Sequence, residues 1–220
     1  MIHYEILPQE QKKIYKNLSF LKNKGFILFG GTAIALQLGH RQSIDFDFFT
    51  SNKLDKKLKD EILKNLKSDT MLQNEENTLV FLKNEVKLSF FGDIDFAIKE
   101  NSLILDDILE VANLKSLLAT KLKATFDRAE YKDYIDIVEI LKKGQITIEE
   151  GIDKMFDFFG TDLTASQVLK NLTYFEDGDL YRLEIKDKDI LIQSVLNFKN
   201  NMLETDKKDN KKLNLRKNRQ

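Results

Sequence analysis

The hydrophobic period of the chain changes once, near Asn113, and that change limits the possible folds more than any other feature. Before it, apolar residues come in short solid runs, such as Phe26–Phe29, or alternate with polar ones, as in Ile44–Phe49. These are the marks of buried and half-buried strands. After it, they recur with helical spacing: Leu114, Leu117, Leu118, Leu122, Phe126. The pattern predicts an α/β first half over residues 1–110, an all-helical second half over 111–205 packed on it, and a basic, disordered tail over 206–220. One Pro and nine Gly leave these elements almost uninterrupted, so each glycine becomes informative.

The expected order follows from caps and breaks. Pro8 suits the first turn of a helix running to about Lys22, which Gly25 ends. Phe26–Phe29 predicts a buried strand. Gly30-Gly31 breaks it, and Thr32–Leu38 predicts a short helix closed by Gly39. A strand over Ile44–Phe49 precedes an amphipathic helix over residues 53–67. Thr78–Leu82 and Val86–Phe91 predict a hairpin, with short strands at Phe96–Ile98 and Leu103–Leu105. Asn113 is a good N-cap for a helix to about Asp127, followed by one over residues 133–143. Thr147 and Glu150 predict a capping box for the next. Residues 164–172 and 189–203 complete the helical half.

Composition removes several chemistries. There is no Cys, which excludes disulfides, zinc-thiolate sites and thiol nucleophiles, and two His are too few for a His-rich metal site. No apolar run approaches the ~18 residues of a membrane span, and no apolar core follows a basic start at the N-terminus, so the expected address is the cytoplasm. The net charge of -1 predicts no partner, but it averages a body near -6 and a tail of +5.

Phe29-Gly30-Gly31-Thr32, thirteen residues counted from Thr32 to Ile44, and then Asp45-Phe46-Asp47 form the strongest local feature. It reads as strand, glycine turn, helix N-terminus, and strand with two carboxylates on one face. Gly30 and Gly31 let the backbone approach a phosphate, and the N–H groups opened by Thr32 face it with the positive end of a helix. Asp45 and Asp47, spaced i and i+2, converge, as ligands of Mg2+ shared with nucleotide phosphates would. Asp93-Ile94-Asp95 has the same spacing without the preceding unit and reads as a surface turn. In the loop between, Arg41 could contact a triphosphate and Ser43 a phosphate oxygen, or both could belong to a plain polar connection. His40 reads as a loop residue.

In the helix after Asn113, Lys121 shares the apolar stripe, and Arg128 follows seven residues later on the same side. Each cationic head either snorkels to solvent or enters a cleft where it meets phosphates. Asp133 and Asp136 are i, i+3 neighbours on the following helix; Asp133 could equally be an N-cap and Asp136 an edge residue.

These stretches together resemble the AbiEii/AbiGii-type (MenT-like) nucleotidyltransferase toxins. The resemblance rests on Gly30–Leu36, Arg41–Asp47, Lys121–Ala124 with Arg128, Lys132–Asp136 and Leu169–Asp177, and spans roughly residues 10–200. It implies a polymerase-β-like nucleotidyltransferase fold, a mixed sheet with flanking helices, followed by the helical half. It implies a toxin of a toxin–antitoxin or phage-defence system that transfers nucleotides from NTPs, in some members to the 3′ end of tRNA, and that has a cognate antitoxin. Carried over, Asp45 and Asp47 would hold Mg2+. Gly30, Gly31, Thr32, Arg41, Ser43 and Arg128 would hold the triphosphate. Lys121 and Asp136 would join Asp45 and Asp47 in catalysis, with Asp133 a weaker candidate. One departure stands out: Ser89 occupies the strand position where such enzymes usually carry a third carboxylate, unless Asp136 takes that part. Transfer of a nucleotide or phosphate to a protein hydroxyl, or an inactive member that binds nucleotide, RNA or antitoxin, remain as alternatives.

Overall fold

The computed structural model describes residues 2–99, 103–105, 108–160, 162 and 164–217. Its centre is a mixed seven-stranded sheet in the order β3-β4-β5-β2-β1-β7-β6. The strands are β1 (Ile27–Phe29), β2 (Phe46–Phe49), β3 (Thr70–Glu75), β4 (Thr78–Lys83), β5 (Val86–Phe91), β6 (Leu103–Leu105) and β7 (Leu109–Val111). Strand β2 lies antiparallel to β1 and parallel to β5, so Asp47 faces Phe29 on one side and Ser89 on the other.

Side-chain alternation gives the sheet two unlike faces. Phe46 and Phe48 stack on one of them, Phe48 stacks on Phe90 at 5.1 Å, and Phe90 on Phe81 at 5.9 Å. All four rings are fully buried. The opposite face therefore carries Asp47 and Phe49 from β2, with Ser89 and Phe91 beside them on β5.

The helices are α1 (Gln9–Tyr15), α2 (Gly30–Leu38), α3 (Lys56–Leu66), α4 (Leu114–Asp127), α5 (Tyr131–Lys143), α6 (Ile148–Phe159), α7 (Ala165–Asn171) and α8 (Ile185–Lys217). Side chains set several of the starts. Asn113 accepts from the Ser116 N–H at 3.0 Å, and Thr147 and Glu150 form the expected capping box. Beyond Asn113 every described element is helical, and α4 and α5 pack on α2. None of the described helices is long and apolar enough to cross a membrane.

Some elements differ from the sequence expectation. The first helix stops at Tyr15, and the chain continues as a 3-10 turn over Ser19–Lys24, which buries Leu18 and Leu21. Phe96 lies in a 3-10 turn (Asp95–Lys99), not a strand; its ring packs between Phe49 at 5.7 Å and Phe158 at 5.0 Å. Strands β3 and β7 are additions to the expected set: β3 is exposed along its whole length and shows no alternation of burial. Helix α8 continues through the basic segment to Lys217. The Asp93-Ile94-Asp95 stretch is a surface bend, with Asp93 at φ 60°.

Candidate active site

Strand β1 delivers the chain into α2 through Gly30, whose φ of 74° is left-handed and favours glycine. A Cβ there would also lie 2.7 Å from Asp47 Oδ2, so the bare Cα is what lets Asp47 rest against the turn. At Gly31 a Cβ would run into the Arg41 guanidinium and come within 3.2 Å of Ser43 Oγ. Phe29, at the N-cap, supplies no side-chain cap, so the first N–H groups of α2 stay open toward this space.

Asp45 lies just ahead of β2 and is fixed differently. Its carbonyl accepts from the Thr32 hydroxyl and, at 3.4 Å, from the Gln11 amide, while Thr32 also lies 2.9 Å from Ser43 Oγ. Thr32 is buried, so its hydroxyl ties the loop to α2 and does not line the cleft. Lys87 Nζ stands 3.4 Å from Asp45 Oδ2. Burial pushes the Asp47 carboxyl above the usual range, opposed by a hydrogen bond from Ser89 and by Lys87, and reinforced by the charge of Asp45.

Behind these groups, α5 sets two carboxylates into the interior, and both are fully buried. Asp136 takes a bidentate pair from Arg41, Nε to Oδ1 at 2.7 Å and Nη2 to Oδ2 at 2.8 Å. It also receives Lys121 at 2.8 Å and lies 2.7 Å from His40 Nε2. Asp133 receives Lys121 at 2.6 Å and Arg128 at 2.8 Å. Burial alone would raise the Asp136 carboxyl, but His40, Arg41 and Lys121 hold it well below the usual carboxylate range. Burial likewise works against Asp133, and Lys121 and Arg128 bring it below its ordinary value. The two acids form a charged platform that aims three cations forward.

The front is a cleft of about 490 Å³ lined by Gly30, Gly31, Ser43, Asp45, Asp47 and the cations Arg41, Lys87, Lys121, Arg128 and Lys132, among others. The structure thus gathers at one place every residue that the sequence nominates for the site except three. Thr32 and Asp136 sit behind the surface, and Asp133, though buried, borders a smaller cavity that adjoins the cleft. Lys87 and Lys132 also line the cleft, and the sequence reading nominates neither for it. Lys87 shares the β5 face with Ser89 at i, i+2, and Lys132 directly precedes Asp133; those are the available signals. His40, a loop residue by sequence, has a side chain only 1% exposed. Among the described residues no group of three or more His, Cys, Asp or Glu side chains is placed to hold a metal by itself. Opposite Asp47 the third position is Ser89.

Comparison with known proteins places the chain by family and by fold. The family described as nucleotidyl transferase AbiEii toxin, type IV toxin–antitoxin system, matches residues 17–216. An uncharacterized protein of Aquifex aeolicus (strain VF5), aq_aa25, is 30% identical over 185 residues, covering 78% of this chain and 84% of its own length. Among solved structures, an H. pylori protein described as a candidate nucleotidyltransferase superimposes with a TM-score of 0.56 at 16% identity, over 85% of this chain and 92% of that one, and shares the fold.

Proposed function

The chain belongs to the AbiEii nucleotidyltransferase toxin family of type IV toxin–antitoxin systems, and from that premise we propose that its basic cleft transfers a nucleotide from an NTP to a hydroxyl of RNA, with the 3′ end of tRNA as acceptor. One observation carries the proposal: the open N-terminus of α2, a pair of carboxylates and five cations share one cleft. A triphosphate is the ligand that needs all three kinds of group.

The N–H groups at Gly30 and Gly31 and the Ser43 hydroxyl bind phosphate oxygens. Arg41, held flat by its bidentate bond to Asp136, presents its outer edge to the β- and γ-phosphates. Lys121 and Arg128, fixed by Asp133, neutralise charge as the bond between the α-phosphorus and the bridging oxygen breaks. The acceptor hydroxyl attacks the α-phosphorus opposite that oxygen and gives up its proton to solvent water, and pyrophosphate leaves past Lys87 and Lys132.

Asp45 and Asp47 fit a divalent cation: both are carboxylate oxygen donors lining one cleft, and the bare Cα of Gly30 leaves room beside Asp47 Oδ2. Held by Asp45 and Asp47, Mg2+ would supply charge neutralisation on the phosphates and would make the attacking hydroxyl more acidic. In this reading Asp136 positions Arg41 and Lys121 and is not a metal ligand, because its oxygens are already taken by three basic side chains. The setting is the cytoplasm, where NTPs and tRNA are found. A cognate antitoxin restrains the activity, and phage defence is the physiological context that suits such a pair.

The test is transfer of label. Incubated with each labelled NTP, Mg2+ and total tRNA, the protein should label RNA, and Asp45→Ala should abolish the signal. Equal labelling by Asp45→Ala would sink the mechanism. Label appearing on a polypeptide with tRNA untouched would replace the acceptor.

A further inference from the structure

Beyond the phosphate cleft, the same sheet face changes character. Asp47 and Ser89 are opposite each other, and the next outward pair, roughly 7 Å along the strands, is Phe49 and Phe91. Their rings stack at 5.1 Å, and Phe29 meets Phe49 edge-on at 5.2 Å. Phe49 and Phe91 are only partly buried, unlike the fully buried rings on the other face.

The surface they leave open floors a second cavity of about 170 Å³, roofed by Thr120, Lys121 and Ala124 from α4, by Arg128 just past its end and by Asp133 from α5. Gly30, Asp47, Lys121 and Arg128 line both this cavity and the phosphate cleft, so the two adjoin at the carboxylate. The missing side chain at Gly30 keeps that junction open.

We propose that this aromatic cavity is the nucleobase subsite of the enzyme, with Phe49 and Phe91 as the stacking floor and Thr120 as a polar contact at the base edge. The proposal rests on the NTP-and-RNA reading of the cleft. Three features point to a base. The cavity is smaller than the ~300–1,000 Å³ of a pocket that takes a whole ligand, so it suits one flat fragment. Its floor is aromatic, and aromatic side chains stack on any base. The Thr120 hydroxyl donates to the Leu117 carbonyl at 2.9 Å, which leaves its oxygen free to accept from a base amino group. A base can come from the NTP or from the terminal nucleotide of the acceptor; the chemistry of recognition is the same.

The full-length protein, Phe91→Leu and Ala124→Leu are to be compared by calorimetry with each NTP and with inorganic tripolyphosphate, and by KM for the RNA acceptor. Phe91→Leu removes the stacking plane. Ala124→Leu fills the cavity from a helix surface without removing any core group, and keeps the test alive if Phe91→Leu does not fold. If the base belongs to the NTP, both variants weaken NTP binding roughly 5- to 150-fold and leave tripolyphosphate unchanged. If it belongs to the acceptor, NTP and tripolyphosphate binding stay level and the RNA KM rises by a similar factor, with kcat less affected. Folded variants that match the parent in all three measurements overturn the subsite, as does equal weakening of NTP and tripolyphosphate. A parent protein that binds neither NTP nor RNA overturns the proposed function itself, and this inference with it.

Discussion

Asp136 shows how much one side chain can govern at this site. It is fully buried and serves His40, Arg41 and Lys121 at once. Removing its charge takes the carboxylate from Arg41 and leaves Lys121 with Asp133 alone, so Asp136→Asn should cost about 3 kcal/mol, measurable by urea melts. The pH dependence has a definite sign. A carboxyl held below its unfolded value of ~3.9 adds stability that is complete above that value and is lost as pH falls toward the folded one. Parent melts should stay level from pH 7 to about pH 5 and decline below it; Asp136→Asn should decline less. At Gly30 the prediction is steric: Gly30→Ala meets a left-handed φ, costing roughly 1–2 kcal/mol, and pushes on Asp47. NTP turnover should fall by more than the loss of folded protein explains. Gly30, Gly31, Asp45 and Asp47 can be recognised in sequence because their relation is local. The pairing of Arg41 with Asp136, 95 residues apart, cannot, since helical period says which face a residue takes but not what it meets. The same limit hides His40 and Lys132.

At the scale of elements, the helical half is legible wherever a cap marks its start. Thr147 is the plainest case: its hydroxyl accepts from the Glu150 N–H while Glu150 returns the bond to the Thr147 N–H. Thr147→Ala should destabilise the protein by about 1 kcal/mol, read as a shift in denaturant midpoint without change in slope. Elements without such chemistry are harder to read. Strand β3 lies at the sheet edge with every residue exposed, so nothing in its pattern records a buried face. The Phe96 turn reads as a strand because its apolar residues are there to fill the space between the sheet and α6, where Phe49, Phe158 and Phe159 converge. Asp45 illustrates the same point at a strand end. Its carbonyl is taken by Thr32 and Gln11 instead of a neighbouring strand, which leaves the carboxylate just outside β2.

For the whole molecule, the near-zero net charge hides a division between an acidic body and a basic C-terminal segment on α8. If the segment helps to hold RNA, removing residues 206–220 should flatten the dependence of log K on log salt by ~0.7 for each single-strand phosphate that its cations neutralise. An unchanged slope would confine RNA recognition to the cleft. The site also divides along the chain. Gly30 to Phe91 supply the turn, the carboxylates and the aromatic floor, while Thr120 to Asp136 supply the roof and the platform beneath Arg41. During translation, at ~5–20 residues per second, the first group leaves the ribosome seconds before the second. A partly made chain holds its acidic pair but has neither Lys121 nor the anchor for Arg41. In the proposed mechanism the cleft is therefore complete only once α4 and α5 have emerged and docked, so activity follows the start of synthesis with a built-in delay.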